Sequence, residues 1–126
     1  MQQFKLHEYE KTILNILNQI FEIEKKSEKL TESNSIHRNL KRLKEIFEME
    51  LSAFYGSNVE APGFFIENPI GEPYNEKRTD CEASIAGESA ENLVITEVVR
   101  PIIRYKYKGQ NLIVQKAVVV VQSQNS

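Results

Sequence analysis

Tryptophan is absent from the 126 residues, and there are only one cysteine, four prolines and five glycines. The lone Cys81 excludes an intrachain disulfide framework and makes a reducing compartment the default setting. With 40% hydrophobic and 27% charged residues, the scarcity of Gly and Pro also excludes a low-complexity or disordered chain. Charge of one sign is missing too. Sixteen Lys and Arg face 18 Asp and Glu, a net −2, so nothing electrostatic calls for nucleic acid or an anionic membrane. No apolar run reaches the roughly 18 residues of a membrane-spanning helix. The opening MQQFKLHEYE lacks the basic and apolar regions of a leader, so a soluble, cytoplasmic protein without membrane contact is expected. The length suits about one domain, excludes a TIM barrel and leaves little room for a doubly wound nucleotide fold.

Recognisable catalytic patterns are equally scarce. No HExxH, CxxC or GxxxxGK[ST] pattern occurs, and His7 and His37 each stand alone in a helical segment. Gly87-Glu88-Ser89 lacks the strand-then-helix flanks of a nucleophile elbow. An enzyme would need Arg78, Asp80, Cys81 and Glu82 to converge in a pocket, or Cys81 to meet His37. The expectation is a protein with no catalytic residues, no cofactor and no metal.

What is present divides into two periods. Leu6, Tyr9, Ile13, Ile16, Ile20, Ile23, Ser27 and Leu30 recur at alternating steps of three and four, a heptad pattern. Leu14, Leu17 and Phe21 broaden the stripe to the width of a bundle face. Leu30–Ile36 carries the Ser, Thr and Asn residues that favour caps, and a second periodic run carries Ile36, Leu40, Leu43, Phe47, Leu51 and Phe54 up to Gly56. One helix or two over residues 1–55 stays open. Two helices cannot cover both sides of so wide a face. The pattern therefore predicts a homodimeric bundle with Tyr9, Ile13, Ile16, Ile20 and Ile23 at the interface, the alternative being that the first helix packs on its own sheet.

From Pro62 onward the pattern changes. Pro62-Gly63 and Asn68-Pro69-Ile70-Gly71-Glu72-Pro73 mark a loop. Strand-like runs follow at Glu82–Ala86, Leu93–Val99, Ile102–Lys108 and Leu112–Val121, with a hairpin turn over Lys108-Gly109-Gln110-Asn111. Pro101 belongs at an edge or a bulge. The predicted class is α+β: a helical dimerisation region over 1–60, a turn-rich link over 61–80 and a small, mostly antiparallel β domain over 81–122. Arg104, Lys106 and Lys108 fall on one side of a strand and Tyr105 and Tyr107 on the other. A base stacked on the tyrosines would not meet those cations, so this is a solvated or protein-binding face and not a nucleic-acid platform.

The order of these elements resembles the GrpE family, the nucleotide exchange factors of Hsp70-type chaperones, in a shortened and divergent form. Leu43–Val59 resembles the family's short helix before a Gly-Val turn. Asn68-Pro69-Ile70-Gly71-Glu72-Pro73-Tyr74-Asn75 resembles its Gly-containing segment before Phe-Asp-Pro. Cys81-Glu82-Ala83 falls near its His-Glu-Ala, and Gly109–Val121 resembles its terminal hairpin. Tyr74-Asn75-Glu76 departs from Phe-Asp-Pro, Cys81 from His, and Gln115-Lys116 from Arg-Pro. The resemblance implies a homodimer that binds an Hsp70-like ATPase domain and promotes ADP release. Glu72, Tyr74, Arg78, Glu82, Arg104, Lys106 and Lys108 are its candidate contacts, the β-domain positions inferred from surface alternation and Tyr74 as the aromatic of the turn. The alternative is an adaptor or assembly protein that uses the same scaffold to bind a different protein.

Overall fold

A computed structural model describes residues 8–29, 35–50 and 63–124. The order of elements is helices α1 (Glu8–Ser27) and α2 (Ser35–Met49), then strands β1 (Gly63–Glu67), β2 (Cys81–Ala86), β3 (Leu93–Arg100), β4 (Ile102–Tyr107), β5 (Gln110–Gln115) and β6 (Ala117–Ser123). The class is α+β, with two helices and two small, mostly antiparallel sheets. α1 ends at Ser27 and α2 begins at Ser35, so the helical part consists of two helices. The expected cap at Gly56 and the apolar Leu51 and Phe54 lie outside the described residues.

One long antiparallel ribbon organises the sheets. β3 pairs with β6, from Leu93↔Ser123 to Arg100↔Val118, and β4 pairs with β5, from Ile103↔Gln115 to Tyr107↔Gln110. Its tip is the two-residue Lys108-Gly109 turn, with φ of 50° and 78°. Positive φ at both positions lets the turn follow the right-handed strand twist, as a type I′ hairpin does. The ribbon breaks at Pro101, which cannot donate to the ladder, and at Lys116 opposite it. Register shifts flank the break at Val98/Arg100 and Ile103/Arg104. The distal half joins β1 in the order β1-β4-β5, and the proximal half joins β2 in the order β2-β6-β3. β1 adds antiparallel to β4, whereas β2 adds parallel to β6.

Two sequence expectations change. Gly63–Glu67 lies inside the segment read as a link, yet it forms a strand paired over its whole length with β4. At Gly63 the chain passes so close to α2 that an added Cβ would stand 2.5 Å from Glu48 O, which only glycine accommodates. The helices also pack against the sheets of their own chain. Ile13, Leu17, Ile20 and Leu40 pack with Phe64, Ile103 and Tyr105 of the first sheet, while Phe21 reaches the second cluster of Cys81, Ile95, Val98, Ile102, Ala117, Val119 and Val121. Burying each such aliphatic side chain contributes about 1.5–3 kcal/mol. The buried face of α1 is thus centred on Leu17, fully inaccessible, and follows i, i+4, i+7, i+8. The helix-on-own-sheet packing weighed as the alternative is present. Ile13 and Ile20 are buried within the chain, and Ile16 and Ile23 remain 43% and 47% exposed. Tyr9 lies in α1, and its side chain is outside the described residues.

Candidate functional site

The segment between β1 and β2 is a built structure held from both ends. Asn68 Oδ1 accepts from Ile70 N at 3.2 Å and starts the turn. The chain then runs along the outer edge of β3: Gly71 N donates to Ile95 O at 2.8 Å, Ile95 N to Glu72 O at 2.9 Å, and Tyr74 N to Leu93 O at 3.0 Å. This covers an edge that would otherwise present unpaired main-chain groups. Asn75 Oδ1 then accepts from Lys77 N at 2.9 Å, which turns the chain back toward β2.

Arg78 clamps this loop. Its Nε donates to Asp80 Oδ1 at 2.6 Å, one terminal nitrogen to Pro73 O at 3.0 Å, and the other to Glu72 Oε1 at 2.7 Å. The planar fork of a guanidinium suits three fixed acceptors, which a lysine ammonium would not reach together. Asp80 Oδ2 faces Arg104 at 3.4 Å, and Arg104 Nε pairs with Glu67 at 2.9 Å. The result is a chain of alternating charge, Glu72–Arg78–Asp80–Arg104–Glu67, that ties the loop to β1 and β4. Burial pushes the Asp80 carboxyl up, but the hydrogen bond and charge of Arg78 outweigh it, so the carboxyl ends below its ordinary value. The Arg78 guanidinium is held more firmly protonated by its hydrogen bond to Asp80, against the opposing effect of burial.

Of the residues expected at a contact surface, Glu72, Arg78 and Arg104 are therefore brought together, through Asp80 and Glu67. Tyr74 is half-buried against the second cluster and is not a protruding aromatic. Glu82 is exposed on β2 and makes no ion pair with the charge chain. Lys106 is exposed with its Nζ 4.2 Å from the centroid of the Phe65 ring, and Lys108 forms the hairpin turn with its Nζ 5.2 Å from the Tyr107 ring. Tyr105 is buried behind the strand, edge-on to Phe64 at 5.2 Å, as the alternation of the strand implied. Asp80 and Glu67 were not expected at this surface. The sequence holds one signal for Asp80, an Arg-x-Asp spacing within a loop, and none for Glu67, which arrives by strand pairing.

Cys81 does not join a reactive constellation. It is 6% exposed, and burial, with a further push from the Asp80 carboxylate against the pull of Arg78, raises its thiol to about 11. His37 is exposed on α2, and Glu82 lies on the opposite face of β2 from Cys81. Two open clefts are lined by described residues. One, of about 490 Å³, lies between the last turn of α1 and β3, with Phe21, Lys25, Ile70 and Val98 in its walls. Lys25 Nζ donates there to Val98 O at 2.9 Å. The other, of about 820 Å³, lies between the 73–77 turn and β2. Neither cleft is lined by Cys81 or His37. Among the described residues no group of His, Cys, Asp and Glu is placed to hold a metal ion, and no helix is long and apolar enough to cross a membrane. The chain matches no family model, and neither curated proteins nor solved structures give a match to it.

Proposed function

We propose that this chain is a non-catalytic, nucleotide-exchange-factor-like protein that binds the ATPase domain of an Hsp70-type chaperone and promotes ADP release. The observation that carries the reading is the assembly of the segments on which the family resemblance rests. The 68–75 turn pairs onto β3, and Cys81-Glu82-Ala83 lies beside Ala117-Val118-Val119, residue against residue. Segments some 35 residues apart thus lie in one sheet, and in this reading that sheet acts on a partner by binding alone. A protein that prefers the nucleotide-poor state of its partner weakens ADP binding by the same factor, because linkage is reciprocal. Lys106 and Lys108, which lie over aromatic rings and make no ion pair among the described residues, supply the cationic part of the contact, with Glu72 and Glu82 supplying the acidic part. A homodimer belongs to this reading: Ile16 and Ile23 on α1, and Ile36 and Leu43 on α2, are exposed apolar residues each one heptad apart.

The test is release of a fluorescent ADP analogue from an Hsp70-type ATPase in a stopped-flow experiment with excess unlabelled nucleotide. Acceleration that saturates with this protein is the expected result. No acceleration by the folded protein overturns exchange activity and leaves the adaptor reading. One observation favours that second reading: Arg78 and Arg104, two of the candidate cations, are engaged within the chain and not free for a partner.

A further inference from the structure

The edges of the two sheets are treated unequally. The outer edge of β3 is paired by residues 71–74, and α2 lies against β1 at Gly63. β5 carries a bulge opposite Ile103/Arg104, a device that spoils an edge for further pairing. β2 has none of these protections among the described residues. It is six residues long and in unbroken register with β6, and it contains neither proline nor lysine. Ala117 N donates to Asp80 O at 2.9 Å, which sets the phase of the parallel ladder. Residues 80, 82, 84 and 86 therefore turn their main-chain groups toward β6. Ala83 and Ile85 turn theirs outward to the open edge.

The side chains beside that edge are sorted by face. Ala83 and Ile85 lie on the side of the 820 Å³ groove, whose walls include Tyr74, Ala90 and Leu93, and Ile85 is 49% exposed there. Glu82 and Ser84 lie on the opposite side. The surroundings are acidic: Glu76, Glu82, Glu88 and Glu91 are all exposed and outnumber Lys77, with Lys116 at the far end beside Cys81. We infer that β2 is a docking edge for an extended segment of a partner protein in which apolar and basic residues alternate. Such a segment adds as a fourth strand on β2 and takes main-chain hydrogen bonds from Ala83 and Ile85. Its apolar side chains enter the groove beside Ile85, and its Lys or Arg residues face Glu82. Strand addition supplies the affinity, and the period-two match of apolar and acidic faces supplies the selectivity. Binding at this edge requires no effect on ADP release.

The probe is a synthetic hexapeptide of alternating valine and lysine, titrated into the full chain and followed by amide NMR and fluorescence anisotropy. The expected result is saturable binding with the largest amide shifts in Cys81–Ala86. A peptide with alternate amides N-methylated should bind about tenfold more weakly, and so should one with glutamate in place of lysine. Ile85→Pro removes an outward N–H without touching the ladder to β6 and should weaken binding about tenfold. Glu82→Lys, an exposed substitution that leaves the strand intact, should weaken it severalfold and carries the test if the proline variant fails to fold. The inference is overturned if the peptide causes no shifts in β2, if the N-methylated or glutamate peptide binds as well as the parent, or if Glu82→Lys binds unchanged. It is also overturned if the chain is a dimer in sedimentation that survives Ile16→Asp with Ile23→Asp and dissociates with Ile85→Pro, which would mean that a second copy already occupies the edge of β2.

Discussion

Asn18 and Gln115 exchange two hydrogen bonds, each 2.9 Å, between the middle of α1 and the end of β5. Gln115 also donates to Pro101 O at 3.0 Å and accepts from Arg100 at 2.9 Å. This 9% exposed amide sits where the ribbon breaks, and it satisfies main-chain and side-chain groups that the missing ladder bonds leave behind. Asn18→Ala should lower stability by about 1 kcal/mol, because one N–H of the buried Gln115 amide loses its acceptor while Pro101 O and Arg100 keep the others. Urea unfolding of Asn18→Ala, Gln115→Ala and the double variant checks this. If the single effects simply add, the pair is not coupled.

Arg78 is the keystone of the 72–80 loop. Arg78→Lys should lose most of its three contacts and destabilise the protein by about 2 kcal/mol. It should also raise amide exchange at Ile95, whose partner Glu72 O lies in the clamped segment. Unchanged exchange at Ile95 would show that the loop holds the β3 edge without the guanidinium.

Asp80 makes stability acid-sensitive. Its folded carboxyl sits below the ordinary value, so the unfolded chain binds its proton first as pH falls. The stabilisation is complete above the unfolded value of about 3.9 and is lost below it, as pH drops through the depressed folded value. Asp80→Asn should be less stable than the parent at pH 7 and should lose less stability between about pH 4 and pH 2. Parallel stability curves for the two proteins would remove Asp80 from the acid transition.

Cys81 has the opposite sign. Its thiol is raised to about 11 in the folded state, against about 8.5 unfolded. Its contribution is complete below about pH 8.5 and is lost as pH rises from there toward 11. Cys81→Ala should therefore flatten the alkaline fall in stability, while opening a small cavity that lowers stability at pH 7 by about 1 kcal/mol. In the native parent, thiol reagents should react slowly at pH 8, at a rate set by opening of the second cluster.

The proposed helical interface can be tested without harming the protomer, because Ile16 and Ile23 are exposed. Ile16→Asp with Ile23→Asp should leave the circular dichroism spectrum unchanged and convert a helix-mediated dimer to monomer in sedimentation. Ile20→Asp should unfold the chain instead, since Ile20 is 3% exposed and packs in the first cluster. A dimer that survives the Ile16/Ile23 change does not use this face.

Local chemistry alone made much of the architecture legible. Periodicity marked the helical stretches, β-branched runs marked β3 and the Leu112–Val121 stretch that divides at Lys116 into β5 and β6, and Lys108-Gly109-Gln110-Asn111 marked the hairpin turn, which closes to Lys108-Gly109. Pro101 announced an irregularity because a residue without an N–H cannot continue a ladder. These features depend on neighbours within a few residues, so the sequence carries them. Other features needed the tertiary structure. The short GFFIE of β1 is flanked by Pro62 and by Asn68-Pro69 and reads as loop until β4 lies beside it. The parallel pairing of β2 with β6, and the charge chain from Glu72 to Glu67, join residues distant in sequence, and no local pattern encodes which distant partner a group meets. The heptad stripe of α1 carried two choices at once. Its apolar face is wide enough to serve a sheet and a second helix, and only packing decided that Ile13, Leu17 and Ile20 turn inward while Ile16 and Ile23 face out.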